Sequence, residues 1–161
     1  MRDTSLAPGS LAPELELSAL HDSQVHHLSD FRGKFVVLNF LASWCFPCSQ
    51  EMPALERLHK KISSLGGTVV AVGVDDNLKG LQEFQKKHEV SFPFLVDSKG
   101  LSTKKYRLSG FPETFILTKD GRLSLLIDPE TGQPVLKFVG PRDWDSPQMI
   151  DLIQRAVASH E

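Results

Sequence analysis

Two cysteines, Cys45 and Cys48, are the residues of this 161-residue chain whose type and spacing most clearly predict chemistry. They flank Phe46 and Pro47, and the apolar run at residues 35–40 predicts a buried strand just before them. A helical period begins after Cys48, so Cys45 should stand at a helix N-terminus, where unpaired backbone N–H groups and the helix dipole favour the thiolate. Cys45 can then attack a disulfide, and Cys48, one turn further on, can resolve the mixed disulfide.

A C-x-x-C pair also occurs as half of a zinc or copper site, or without any function. A chain with two cysteines cannot supply a four-thiolate zinc site, and its six histidines form no evident ligand group. The context Trp44-Cys45-Phe46-Pro47-Cys48 favours redox chemistry, which needs no cofactor beyond the disulfide itself. Two alternatives stay open: a copper-delivery module using both cysteines and one histidine, and a scaffold that binds partners without turnover.

The elements that position this pair follow from the spacing of the apolar residues. A hairpin at residues 15–28 precedes the first buried strand, and the helix after Cys48 runs to Gly66 with a kink at Pro53. The remaining segments are predicted as strands at 68–74, 92–96, 114–117, 123–127 and 135–139, and as helices at 78–88, at 101–106 and from about residue 146 onward. This order predicts an α/β fold with a central mixed β-sheet flanked by helices on both faces.

Length and composition limit what else the chain can be. With no linker in its sequence, we expect one domain over residues 1–161, in which residues 1–13 form a flexible lead-in. The formal net charge of -2 gives no basis for binding nucleic acid. No apolar run approaches the roughly 20 residues of a membrane span, and the N-terminus lacks the pattern of a signal peptide. We expect a monomer without a membrane span.

Several motifs resemble those of the TlpA/ResA-like branch of the thioredoxin superfamily, which includes the cytochrome c maturation reductases. The resemblance covers residues 7–160, and its motifs are Leu28-Ser29-Asp30-Phe31-Arg32-Gly33-Lys34, Trp44-Cys45-Phe46-Pro47-Cys48, Glu51-Met52-Pro53, Gly110-Phe111-Pro112-Glu113-Thr114-Phe115 and Val139-Gly140-Pro141-Arg142-Asp143-Trp144. It implies a thioredoxin-like fold with an N-terminal β-hairpin. It also implies a strand–helix unit at residues 78–96 that plain thioredoxin does not have.

The resemblance also implies roles for residues away from the cysteines. Pro112 is expected to follow a cis peptide bond and to face the disulfide, which would leave the backbone of Phe111 free to pair with a substrate strand. Trp44, Phe46 and Pro47 are expected to shape the substrate-binding surface beside the cysteines. A plain turn proline and an ordinary half-buried tryptophan are the alternatives.

Two carboxylates are candidates for proton transfer to or from the cysteines. ResA-like reductases carry a glutamate just after the third strand, and the matching position here is Asp76. Glu113 follows Pro112, as in the Pro-Glu-Thr of the cytochrome-maturation members. The alternatives are helix capping for Asp76 and an exposed position at a strand start for Glu113.

The direction of electron flow follows from the residues between the cysteines. Phe46 and Pro47 carry no charge, and nearby carboxylates would disfavour the thiolate, so the dithiol should be a good reductant. We expect a reductase of protein disulfides that receives electrons from an upstream dithiol donor, with a role in cytochrome c maturation implied by the resemblance. The resemblance also implies an extracytoplasmic location, with an anchor or signal missing from this sequence, while a cytoplasmic location is the alternative.

Overall fold

The computed structural model describes residues 6–158, and its central element is a seven-stranded mixed sheet. The strands are β1 (Glu16–Ala19), β2 (Val25–His27), β3 (Phe35–Leu41), β4 (Gly67–Gly73), β5 (Phe94–Val96), β6 (Glu113–Leu117), β7 (Leu126–Ile127), β8 (Pro134–Val135) and β9 (Lys137–Val139). The helices are α1 (Phe46–Ser63), α2 (Leu78–Lys87), α3 (Leu101–Lys105) and α4 (Pro147–Ala158), and a 3-10 helix covers Leu28–Phe31.

The sheet has the strand order β2-β1-β5-β4-β3-β6-β9, while β7 and β8 form a separate two-stranded ribbon. Strand β4 is parallel to β3 and β5, and the other neighbours are antiparallel. Every residue of β3 and β4 is buried, as expected for central strands that are covered on both faces. The predicted mixed sheet and its N-terminal hairpin are therefore confirmed.

The strand order explains which face each helix covers. The crossovers from β3 through α1 to β4, and from β4 through α2 to β5, step in the same direction, so right-handed connections put both helices on one face. Leu55 of α1, Phe84 of α2 and Ile153 of α4 accordingly share one hydrophobic cluster. Tyr106, at the end of α3, belongs to a second cluster on the other face.

The sequence predictions differ from the structure in a few places. Helix α1 ends at Ser63, so Leu65 lies beyond it and is 44% exposed. The segment predicted as one strand at 135–139 is divided between the ribbon strand β8 and the edge strand β9 of the main sheet. Within the expected lead-in, residues 6–13 are not free: Gly9 N–H donates to the Leu123 carbonyl and Ala12 N–H to the Gly121 carbonyl. Residues 1–5 lie outside the described part.

Strand register brings the predicted site residues to one edge of the sheet. Leu41, the last residue of β3, pairs with Gly73, the last residue of β4. Glu113, the first residue of β6, pairs with Phe40 on one side and Val139 on the other. This edge is therefore the place where the chain leaves β3, β4 and β9 and where it enters β6.

Candidate active site

Cys45 and Cys48 form a disulfide at the N-terminus of α1, with Cα atoms 5.3 Å apart. Cys45 is the N-cap residue, and the backbone N–H of Cys48 points at its Sγ over 3.2 Å. This N–H is one of the first-turn donors without a helical partner, so it would stabilise a thiolate on Cys45 after reduction. Cys45 is 4% exposed and Cys48 is fully buried, which makes Cys45 the accessible sulfur.

Pro112 lies beside this disulfide, as predicted. The Phe111–Pro112 peptide bond is cis, and the carbonyl oxygen of Phe111 is 3.5 Å from Cys45 Sγ. Pro112 is buried, and its carbonyl accepts a hydrogen bond from Gly140 N–H, which fixes it to the segment after β9. Gly140 has a φ of +89°, a conformation that favours glycine.

Aromatic side chains form an apolar surface around the disulfide. Trp44 is 73% exposed and Phe46 is 71% exposed, although large apolar side chains are usually covered by neighbours. The Trp44 ring contacts the Phe111 ring edge-on, with 5.9 Å between ring centroids. Trp44 is thus more exposed than the half-buried alternative would require, and this surface is suited to an apolar partner.

The structure places Asp76 on the surface and gives the neighbouring Asp75 a defined role. The Asp76 side chain is exposed, and among residues 6–158 the structure shows no hydrogen bond or ion pair from its carboxylate. Asp75 instead accepts hydrogen bonds from Ser43 N–H and Asn77 N–H, each at 2.7 Å. The capping expected near Asp76 is supplied by Asn77, whose side chain accepts from Gly80 N–H at 2.9 Å. Asp75 therefore fixes the loop before Cys45 to the start of α2.

Glu113 is fully buried, so the exposed position considered as its alternative is wrong. Its carboxylate accepts hydrogen bonds from Lys137 Nζ at 2.7 Å and from Ser109 Oγ at 2.7 Å. Side chains alternate along a strand, and Phe115, two residues on, belongs to the cluster on the α3 face. Glu113 thus points to the face opposite the one that α1 covers, and the structure does not bring it together with the cysteines.

Glu51 is the carboxylate that the structure does bring close to the cysteine pair. It lies three residues after Cys48, on the same side of α1, and is 2% exposed. Three donors reach it: Asn39 Nδ2 at 2.8 Å, Trp144 Nε1 at 2.8 Å and Arg142 N–H at 3.2 Å. Burial raises its pKa from 4.5 to about 7, although these hydrogen bonds oppose the rise. At neutral pH this group can therefore accept or release a proton.

Glu51 was expected only as part of the Glu51-Met52-Pro53 motif of the family resemblance, with no chemical role. A usable signal was present, because Cys48, Glu51, Met52 and Leu55 fall on one helical face. A charged residue on an otherwise apolar face is informative, since buried charges are rare unless paired or functional.

Four of the histidines, His26, His27, His59 and His88, are partly buried. His59 Nδ1 accepts from Val69 N–H, His88 Nε2 lies 3.1 Å from Ser49 Oγ, and His26 is half-buried. Within residues 6–158, no group of three or more His, Cys, Asp or Glu side chains is arranged to hold a metal ion. In the same residues, no helix is long and apolar enough to cross a membrane.

Comparison with known proteins gives the family and the enzyme class. Residues 8–125 match the AhpC/TSA family. The chain belongs to this family. It is 34% identical over 124 residues to the thiol-disulfide oxidoreductase ResA of Geobacillus thermodenitrificans, a match that covers 77% of this chain and 71% of that protein. It is also 34% identical over 119 residues to ResA of Bacillus subtilis, with coverage of 74% and 66%.

Among solved structures, a candidate thiol:disulfide interchange protein DsbE from Chlorobium tepidum matches with a TM-score of 0.79 and 30% identity. This match covers 95% of the present chain and 99% of that chain. The thioredoxin-like fold and the resemblance to ResA expected from the sequence are thus confirmed. This AhpC/TSA family member is a thiol–disulfide oxidoreductase that carries a Cys45–Cys48 pair.

Proposed function

We propose that this oxidoreductase reduces disulfide bonds in protein substrates, with Cys45 as the nucleophile and Cys48 as the resolving thiol. The observation that carries the proposal is the position of the pair: Cys45 caps α1 beneath exposed Trp44 and Phe46, while Cys48 is buried beside Glu51. The reacting sulfur is thus presented to a partner, and the second sulfur is kept away from it.

The reaction balances without another redox group. The Cys45 thiolate attacks one sulfur of a substrate disulfide, and the other substrate sulfur leaves as a thiolate that takes up a proton. Cys48 then loses its proton and attacks Cys45, which releases the second substrate sulfur as a thiol. The substrate gains two electrons and two protons, and the enzyme becomes the Cys45–Cys48 disulfide.

We assign the proton released by Cys48 to Glu51 rather than to Asp76 or Glu113. Glu51 is one helical turn from Cys48 on the same face, and its pKa of about 7 allows it to accept that proton near neutral pH. Asp76 is exposed to solvent, and Glu113 points to the opposite face of the sheet. These positions favour Glu51 as the acceptor of the proton from Cys48.

The same carboxylate supports the reductive direction. An ionised Glu51 beside a thiolate is a like-charge neighbour in a buried site, and it disfavours the reduced, charged form of the pair. Phe46 and Pro47 offer no compensating charge between the cysteines. A poorly stabilised thiolate makes the disulfide comparatively favourable, and the dithiol is then a good electron donor.

The proposal also covers the partners of the enzyme and its cellular location. Exposed Trp44 and Phe46 suit an unfolded or extended protein segment with apolar residues, and the Phe111 backbone lies where such a segment would pair. The resemblance to the TlpA/ResA-like branch supports an extracytoplasmic location, an upstream dithiol donor and a role in cytochrome c maturation. We propose that the enzyme acts as a monomer and that the cysteine pair is its redox centre, without a further cofactor.

Trapping of mixed disulfides tests this mechanism. A Cys48→Ala variant should retain substrates covalently on Cys45, whereas Cys45→Ala and the double variant, the matched controls, should retain none. Purified parent protein should also reduce insulin disulfides with a dithiol donor. The copper-delivery alternative predicts stoichiometric Cu(I) or Zn(II) in the purified protein and little turnover, and the scaffold alternative predicts neither trapping nor turnover.

A further inference from the structure

Arg142 and Asp128 form a buried ion pair next to the Glu51 carboxylate. Arg142 Nη2 lies 2.6 Å from Asp128 Oδ2, and Arg142 Nε donates to Asp128 Oδ1 at 3.3 Å. The side chains are 8% and 2% exposed, respectively. Asp128 is itself anchored, because its carboxylate accepts from Glu130 N–H at 3.0 Å. The guanidinium therefore has a fixed, two-point partner.

The same guanidinium fixes the chain segment that donates to Glu51. Arg142 Nη1 donates to the carbonyls of Val139 at 3.0 Å and Pro141 at 2.9 Å, so the side chain holds its own backbone in place. The guanidinium also lies 5.8 Å from the centroid of the Phe138 ring, and that ring packs edge-on against Trp144. The two donors to Glu51 from this segment are the Arg142 backbone N–H and Trp144 Nε1. Their positions therefore depend on the Arg142 side chain and its partner.

We propose that Arg142 and Asp128 are positioning residues that hold these two donors against Glu51 and so set how tightly Glu51 binds its proton. Neither side chain takes part in thiol–disulfide exchange. The proposal rests on the proposed function only where it links this proton to the redox reaction, because the proton affinity of Glu51 can be measured on its own.

The ion pair could affect Glu51 through its charges or by holding the donors in place. The charged and titratable groups around Glu51 decide how these two explanations can be distinguished. Arg142, Glu130 and Asp143, from the segments after β7 and β9, and Arg57, from the helix of Glu51 itself, line one surface pocket with Glu51. Asp128 adds its charge through the ion pair with Arg142. Strands β3 and β6 contribute uncharged groups: Asn39 Nδ2 bridges Glu51 and the Thr114 hydroxyl, with 2.9 Å between Nδ2 and Thr114 Oγ1. Cys48 joins these titratable groups once the disulfide is reduced.

Substitutions in the ion pair distinguish the Coulombic explanation from the positioning explanation. Asp128→Asn removes a negative charge near Glu51, so a purely Coulombic effect would weaken proton binding to Glu51. If Asp128 acts by holding the donors, the same substitution loosens them and strengthens proton binding. Arg142→Lys keeps the positive charge but loses the two-point contact, so charge alone predicts little change. The proposal predicts stronger proton binding in both variants.

Carboxyl-carbon NMR of glutamate-labelled protein in the disulfide state measures the proton affinity of Glu51 directly. The Glu51→Gln variant identifies the Glu51 signal. A hydrogen bond to a charged group corresponds to roughly tenfold to hundredfold in an equilibrium constant, so we expect the proton affinity of Glu51 to rise about tenfold in Asp128→Asn and in Arg142→Lys. Trp144→Phe, which removes one donor outright, should shift it in the same direction. The control is Glu130→Gln, because Glu130 is 60% exposed at its contact with Arg142. It should leave the titration within about twofold of the parent.

A lower proton affinity of Glu51 in Asp128→Asn than in the parent would overturn the proposal. An unchanged proton affinity of Glu51 in both ion-pair variants, with a shifted one in Trp144→Phe, would also overturn it. Thermal unfolding of each variant shows that the titrated protein is folded. The pH dependence of the reduction potential is then measured for the same variants and should shift in parallel with the Glu51 titration. If the titration moves and the potential profile does not, the positioning role stands, and the proposed role of Glu51 in the reaction fails.

Discussion

Replacing Glu51 with glutamine should change how the stability of the oxidised protein depends on pH. The carboxyl is 2% exposed, and its pKa is raised from 4.5 to about 7 by burial. Below about pH 4.5 both the folded and unfolded states hold the proton, whereas between about 4.5 and about 7 only the folded state does. The unfolded state therefore binds fewer protons in this interval, and the free energy of unfolding falls as the pH rises.

The size of this loss follows from the shift in pKa. A change from 4.5 to about 7 corresponds to about 3 kcal/mol of unfolding free energy lost across the interval, and the curve is flat above it. Glutamine cannot ionise, so the variant should lack this loss. The substitution also fits the site: Asn39 Oδ1 has no partner among the described residues, and a half-turn of that amide would present it to the new NH₂ group.

Urea unfolding of the disulfide form from about pH 4 to about pH 8.5 tests this prediction. The stability of Glu51→Gln relative to the parent should rise by about 3 kcal/mol over this range. Glu83→Gln, which changes an exposed glutamate of α2, is the matched control, and its difference from the parent should stay constant. Parallel curves for Glu51→Gln and the parent would refute the buried, high-pKa carboxyl on which the proton assignment depends.

Three further predictions concern the surroundings of the site. Trp44→Ala should lower kcat/KM for a protein disulfide about fivefold to tenfold, since only a large partner reaches the exposed ring. The kcat/KM for a small disulfide such as oxidised glutathione should not change. Leu101→Ser, which changes an exposed apolar residue on α3, is the control, and equal losses on both substrates would contradict a docking role for Trp44. Glu113→Gln should lower the free energy of unfolding by about 2 kcal/mol in urea titrations, because Lys137, 24% exposed, loses its anionic partner; an unchanged midpoint would count against the ion pair. Asn77→Ala should cost about 1 kcal/mol by the same assay through loss of the α2 cap, whereas Asn77→Asp should retain most of the stability.

The fold could be predicted largely from local patterns. Apolar runs such as those that became β3 and β4 identify central strands by composition alone, and the turn after β1 marks the hairpin. The strand predicted at 135–139 is divided in the structure, because Val135 pairs with Leu126 in the ribbon while Lys137 pairs with Phe115 in the main sheet. Such a change of partner depends on distant strands and has no local signal.

The site was predictable where its chemistry lies in contiguous residues. Cys45 and Cys48 stand in one short motif, and Pro112 could be placed opposite them by resemblance. Glu51 was not predicted, because its burial and its partners come from Trp144 and Arg142, more than 90 positions away along the chain. The burial of Glu113 likewise depends on Lys137 in another strand. Local sequence does not show which carboxylate a later segment will cover.

The reduction potential of the Cys45–Cys48 couple tests the central claim most directly. It can be measured at pH 7 by equilibrating the protein with defined mixtures of a reduced and an oxidised dithiol and counting free thiols. We predict a strongly reducing value, close to the roughly −270 mV of thioredoxin. A value near −120 mV, that of a strong disulfide donor, would contradict the reductase and show that the enzyme delivers disulfides rather than removing them.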